Sequence, residues 1–134
     1  MLGDKIGEFN GQTIGTRVLE DIGTGPRTEV TDRSSGTAYG VRADSTVTYV
    51  GTLRPNGTIA GSGTGFVVTE SGETATFRGV GVGHFGPDGS TVWRGSLFYE
   101  TESEALSRLN GIAALFEYQI DASGKSSGQF YEWK

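Results

Sequence analysis

Over residues 44–54 apolar and polar side chains alternate, Val47, Tyr49 and Leu53 being interleaved with Thr46, Thr48 and Thr52. The same two-residue period returns over 112–120, where Ile112, Ala114, Phe116, Tyr118 and Ile120 share one side and Glu117 and Gln119 the other. A period of two belongs to a β-strand with one face buried and one face wet. Turn signals punctuate the chain. The stretches RPNGT (54–58) and GPDGS (86–90) each run Pro, then Asn or Asp, then Gly, as in a type I turn closed by a left-handed glycine. ESGE (70–73) and ASGK (122–125) are similar hairpin signals. Eight strands are predicted, at about 12–21, 28–40, 44–54, 58–70, 73–85, 90–101, 111–121 and 126–133.

Long consecutive strands joined by tight turns describe an antiparallel meander, and such a sheet disposes of its edges best by closing on itself. The expected fold is all-β, an antiparallel up-and-down β-barrel of about eight strands, with residues 1–134 as a single domain. One stretch departs from the period. In TESEALSRLNG (101–111), Thr101 as N-cap, Glu104 three residues on, and Asn110-Gly111 as a stop predict a short helix at about 102–109. Its Leu106 and Leu109 are expected to pack on the wall or over one mouth of the barrel.

Two glycine rows need an explanation, GSGTG (61–65) and GVGVGHFG (79–86). Gly81, Gly83 and Gly86 fit the spacing of a dinucleotide loop, but that loop must open a helix, and here a turn and another strand follow. Glycines at every second position instead share one strand face, where they permit bending or make room for a large neighbour. A three-residue loop at 87–89 sets Gly83 opposite Trp93, Gly79 opposite Leu97 and Phe77 opposite Tyr99. A three-residue loop at 55–57 sets Tyr49 opposite Gly63, and a two-residue loop at Ser71-Gly72 sets Gly63 opposite Val80.

These registers sort the strands into two faces. One carries Thr46, Thr48, Thr64, Phe66, Phe77, Trp93, Leu97 and Tyr99; the other carries Val47, Tyr49, Gly61, Gly63, Gly65, Val67, Arg78, Arg94, Phe98 and Glu100. The second is favoured as the lumen, because strand 44–54 is apolar there and Gly61, Gly63 and Gly65 leave room inside; the opposite choice makes the aromatics of the first face the core and leaves the arginines in water. The first face is then an outer apolar patch, to be covered by the helix or by a second subunit, so a homo-oligomer, a dimer, is expected.

Composition narrows the partners. The chain carries 11 Lys and Arg against 16 Asp and Glu, a net charge of −5, with no basic cluster; a nucleic acid partner is not expected. No apolar run approaches the roughly 20 residues of a membrane-spanning helix, and MLGDKIGEF lacks the regions of a signal peptide, so the expectation is a soluble cytoplasmic protein without membrane contact. There is no cysteine, and His84 is the sole histidine, placed beside a turn at an exposed rim; no metal site and no cofactor are expected.

The candidate chemistry is charged. A guanidinium inside the lumen keeps its proton and needs a carboxylate, which Glu100 supplies diagonally to Arg78. Arg94 has no partner among these pairs and is left for an anionic or carbonyl-bearing ligand; the alternative is a surface arginine covering apolar wall with its methylenes. Glu117, if buried, has a raised pKa and can act as a general acid or base; the alternation over 112–120 turns it to solvent instead. Tyr49, Arg78, Arg94, Phe98 and Glu117 are the candidate ligand-binding residues, and no catalytic residue is assigned.

With ATFRGVGVGHF, STVWRGSLFYET, SEALSRLN and FEYQID…YEWK in place, the chain resembles, over roughly residues 5–134, a group of small uncharacterised prokaryotic β-barrel proteins. In architecture the meander is similar to the calycin superfamily and to the allene oxide cyclase and dirigent barrels. That likeness implies a small apolar ligand in the barrel and a cyclase- or isomerase-type role. Three functions are therefore carried forward. The first is a binder of a small hydrophobic or carboxylate-bearing molecule near Tyr49, Arg94 and Phe98. The second is a cofactor-free isomerase or cyclase using Arg94 or Glu117, and the third a packed barrel with a structural role only.

Overall fold

The computed structural model describes residues 2–133. Eight strands follow in chain order: β1 (Leu2–Leu19), β2 (Arg27–Ala38), β3 (Val41–Leu53), β4 (Ile59–Thr69), β5 (Thr74–Phe85), β6 (Thr91–Thr101), β7 (Ala114–Ile120) and β8 (Lys125–Trp133). Each pairs antiparallel with the next, and β1 closes the cylinder by pairing with β8 over Leu2–Gln12 and with β2 over Phe9–Leu19. β1 starts ten residues earlier than its sequence pattern suggests. Register shifts between Leu2, Lys5 and Gly7 break the alternation there, so the adjacent Ile6 and Gly7 are both buried and no period of two is visible.

Four hairpin loops set the registers that matter here. At Tyr39-Gly40 both residues have positive φ, +49° and +79°, as a two-residue type I′ hairpin requires. Tyr39 is held in that conformation by its N–H donating to the Ile6 carbonyl at 2.7 Å and its hydroxyl to Glu132 Oε1 at 2.8 Å. The loops at 55–57 and 87–89 produce the expected pairs, Tyr49 with Gly63, Gly83 with Trp93, and Phe77 with Tyr99. The β4–β5 loop does not. Thr69 N–H donates to the Glu73 carbonyl at 2.8 Å and Gly72 N–H to the Thr69 carbonyl at 2.9 Å, so the loop has three residues, Glu70 to Gly72, with Gly72 in the left-handed region. Thr69 Oγ1 locks it by accepting from the Glu73 N–H at 3.1 Å. Gly63 therefore faces Gly79, not Val80.

That single residue reverses β5 and β6, because a shift of one exchanges the two faces of a strand. Phe77, Trp93, Leu97 and Tyr99 point into the barrel alongside Val47, Tyr49 and Val67, while Arg78, Val80, Val82, Arg94 and Phe98 point out. Both glycine rows face inward as a result, and large side chains lie over them. A Cβ at Gly61 would sit 2.5 Å from Trp93 Cζ3, and one at Gly65 2.4 Å from Phe77 Cζ. The glycines make room for lumen aromatics.

The stretch after β6 forms no α-helix, only one 3-10 turn at Ser107–Leu109. Thr101, the expected cap, remains in β6; its Oγ1 donates to the Thr74 carbonyl and accepts from the Ser103 N–H. Two helical turns gain too little to nucleate alone, whereas burying Leu106 and Leu109 completely in the barrel end is worth several kcal/mol, at about 1.5–3 kcal/mol each. The Asn110 carboxamide pins the segment by exchanging two hydrogen bonds with the Thr101 backbone, both 2.9 Å. Around this plug Ile6, Phe9, Ala38, Ala43, Val67, Ala75 and Ala114 form the core. Arg108 fastens its outer side, donating to Glu132 Oε1 and Oε2 at 3.0 Å each and to Asp4 Oδ2 at 2.8 Å, with its guanidinium 4.5 Å above the Tyr39 ring.

Candidate functional site

Between the plug and the opposite end, the lumen encloses a cavity of about 100 Å³. Phe9, Val67, Phe77, Leu97 and Tyr99 line it on the plug side, and Tyr49, Trp93 and Tyr118 on the other. The latter three rings meet edge to face: Tyr49 lies 5.6 Å from Trp93 and 6.3 Å from Tyr118, at interplanar angles of 73° and 90°. Room for them comes from small neighbours, Gly61 and Gly83 beneath Trp93 and Gly128 beside Tyr118.

Into this wall β2 directs a carboxyl group. Asp32, opposite Thr13 on β1 and Val47 on β3, is 1% exposed and lines the cavity. Burial raises its pKa above the usual carboxylate range, opposed by the hydroxyls of Ser126 and Tyr118 beside it. Neither hydroxyl, nor Asp32 Oδ2, completes a hydrogen bond of normal geometry, and Trp93 Nε1 and Thr13 Oγ1 are likewise buried without a partner. Each such group costs about 1–3 kcal/mol, and three of them, on Asp32, Trp93 and Tyr118, belong to residues that line the cavity. The phenols of Tyr49 and Tyr118 are held neutral, their pKa values raised first by burial and then by neighbours that include Asp32. No lysine, arginine or histidine lines the cavity. The site therefore combines apolar walls, ring surfaces, and a carboxyl group able to hold or release a proton next to three neutral hydroxyls.

Of the residues expected from sequence, Tyr49 alone lines this cavity. Arg78 sits on the outer wall, exposed and paired in register with Phe98, itself 46% exposed; no ion pair joins Arg78 to Glu100. Arg94 also lies outside, and it has a partner: Glu117, directly across on β7, with Nη2 to Oε2 at 3.3 Å and both side chains about half exposed. Glu117 thus follows the alternation of its strand. The outer patch expected at Phe66, Phe77, Trp93, Leu97 and Tyr99 keeps only Phe66 outside. His84 is exposed near the end of β5. Asp32, Tyr118 and Ser126 escaped sequence reasoning. Counting across the Tyr39-Gly40 turn would have set Asp32 opposite the lumen residue Val47, but an aspartate between Thr31 and Arg33 reads as solvated.

Among the described residues no group of three metal-ligating side chains lies close enough to hold an ion, and no helix is long and apolar enough to cross a membrane. No known protein family matches the chain, and no curated protein matches its sequence. Solved structures do match its fold. A conserved protein of unknown function from Rhodopseudomonas palustris superposes with a TM-score of 0.82 at 16% identity, over 98% of this chain and 97% of its own. A protein of unknown function from Clostridium acetobutylicum gives 0.82 at 12% identity, covering 98% of both chains. A β-barrel-like protein from Acinetobacter baumannii gives 0.83 at 12% identity, over 98% of this chain and 94% of its own. The chain is thus similar to proteins of unknown function with a β-barrel-like fold, and at these identities the likeness is one of fold.

Proposed function

We propose that the protein binds a small, largely apolar molecule in the barrel lumen, with one polar group of the ligand docked on Asp32 and Tyr118. The observation that supports this reading is the set of unpaired, buried polar atoms in the wall of an otherwise apolar cavity. Apolar pockets with a few convergent polar groups are the usual form of small-molecule sites. A barrel serving only as packed scaffold has no use for the cavity or for Asp32. An isomerase working through Arg94 or Glu117 has no route to the lumen from the outer wall.

Trp93 makes the test direct, since its ring lines the cavity while Trp133, the other tryptophan, is 61% exposed. In a Trp133→Phe variant all tryptophan emission comes from the lumen. Isobutanol is close in volume to benzene, which an apolar cavity of about 150 Å³ accepts, and carries one hydroxyl for the polar wall. The expected result is a saturable change in Trp93 emission with a parallel rise in Tm. Emission that changes only linearly with isobutanol and with its amine and carboxylate analogues, with no rise in Tm, rules the reading out.

A further inference from the structure

We infer that the ligand class is a small primary amine, bound as its ammonium ion against Asp32 with the rings of Tyr49, Trp93 and Tyr118 around it. This inference rests on the lumen-binding reading above and adds the charge of the ligand to it.

The first argument is one of matching groups. An ammonium offers three N–H donors and no acceptor. The wall offers Asp32 Oδ2 and Tyr118 Oη, two buried oxygens able to accept, with the Ser126 hydroxyl beside Asp32. The second is charge. Asp32 is the sole carboxylate lining the cavity, and no cationic side chain faces it, so a ligand carboxylate meets repulsion there and a cation meets its counter-ion. A neutral ligand would need only an amide or hydroxyl in that wall, not an ionisable group 1% exposed. The third is the aromatic lining. Three rings line the lumen at steep angles to one another, and cations are drawn to aromatic faces most strongly where water is excluded. Trp93 Nε1, a donor, takes no part in holding the ammonium; its ring does.

Isobutylamine, isobutanol and isobutyrate share one carbon skeleton and differ in charge. Titrated into the Trp133→Phe protein at about pH 8, the amine is expected to bind at least about tenfold more tightly than the alcohol, the margin of a charge-assisted hydrogen bond over a neutral one. Isobutyrate is expected not to bind. Asp32→Asn should bring amine and alcohol to similar affinity. A second measurement needs no substitution. The amine stays protonated at and below about pH 8, so its affinity should fall once acidification protonates Asp32, while that of the alcohol should not. The titratable groups facing Asp32 are Tyr49 and Tyr118, both raised by burial and uncharged across this range. An alcohol that binds as tightly as the amine, or an amine whose affinity Asp32→Asn leaves unchanged, overturns the amine assignment and leaves lumen binding standing. If none of the three probes perturbs Trp93, lumen binding falls and the assignment falls with it.

Discussion

Asp32 lies between Thr31, whose hydroxyl is hydrogen-bonded to that of Thr48 at 2.8 Å, and the exposed Arg33. Its own carboxyl turns the other way and is stripped of water. The consequence for stability follows from proton linkage. Burial raises the folded-state pKa above the 3.8 of an ordinary aspartate, so the folded protein holds this proton more tightly than the unfolded chain does. The stability gained is fully present below the unfolded pKa and is lost as pH climbs through the folded one, by at most about 1.4 kcal/mol per pH unit. Asp32→Asn has no proton to lose. Urea unfolding of both proteins at several pH values between about 4 and 8 should show the variant gaining on the wild type as pH rises. A difference in stability that stays constant with pH contradicts a raised Asp32 pKa.

At the scale of elements, local preference and tertiary burial compete most openly in the plug. The capping signals at Thr101 and Glu104 are real, yet the segment is too short to repay helix nucleation and its leucines are worth more inside the barrel. Leu109→Ala should cost about 2–5 kcal/mol of unfolding free energy in denaturant titration, the range for a large side chain removed from a packed core. Ala105→Gly, on the exposed side of the same segment, tests the alternative, because it weakens a helix but not a buried anchor. The expected outcome is a large loss for Leu109→Ala and almost none for Ala105→Gly; equal losses would speak for a helix. The hairpins were more legible. Pro-Asn-Gly and Pro-Asp-Gly specify both loop length and register, and the pairs built from them hold. Glu-Ser-Gly does not distinguish a two-residue from a three-residue loop. The Thr69 hydroxyl on the Glu73 N–H decides it, a contact invisible until the strands are paired.

For the whole molecule, closure is the organising event. β1 is long enough to serve two partners, and its first described residue, Leu2, pairs with Trp133 at the end of β8. The ends of the described chain therefore meet on the barrel wall, while the Glu70–Gly72 loop is exposed. A circular permutant with the ends joined by a short Gly-Ser linker and the chain opened at Ser71-Gly72 should fold, since exposed loop tips tolerate such cuts. Far-UV circular dichroism like that of the parent and a single cooperative melt are the expected readouts; a molten, non-cooperative product would show that the β4–β5 hairpin must be continuous for closure. The outer wall of this barrel exposes Phe66, Phe98, Val80 and Val82, at 45%, 46%, 59% and 42%. The aromatics assigned to that wall from sequence are mostly inside, where they surround Asp32.

Alternation and turn chemistry alone determined the class, the number and order of most strands, the meander, and the matching of aromatics to glycines, because these depend on neighbours within one hairpin. The direction in which β5 and β6 face, and with it the identity of the site, depended on one residue in one loop. A period of two conveys that alternate side chains share a face but not which face is inside. The burial of Asp32 was decided later still, when β1 met β8 and closed the wall around a carboxyl group that its neighbours along the chain leave in water.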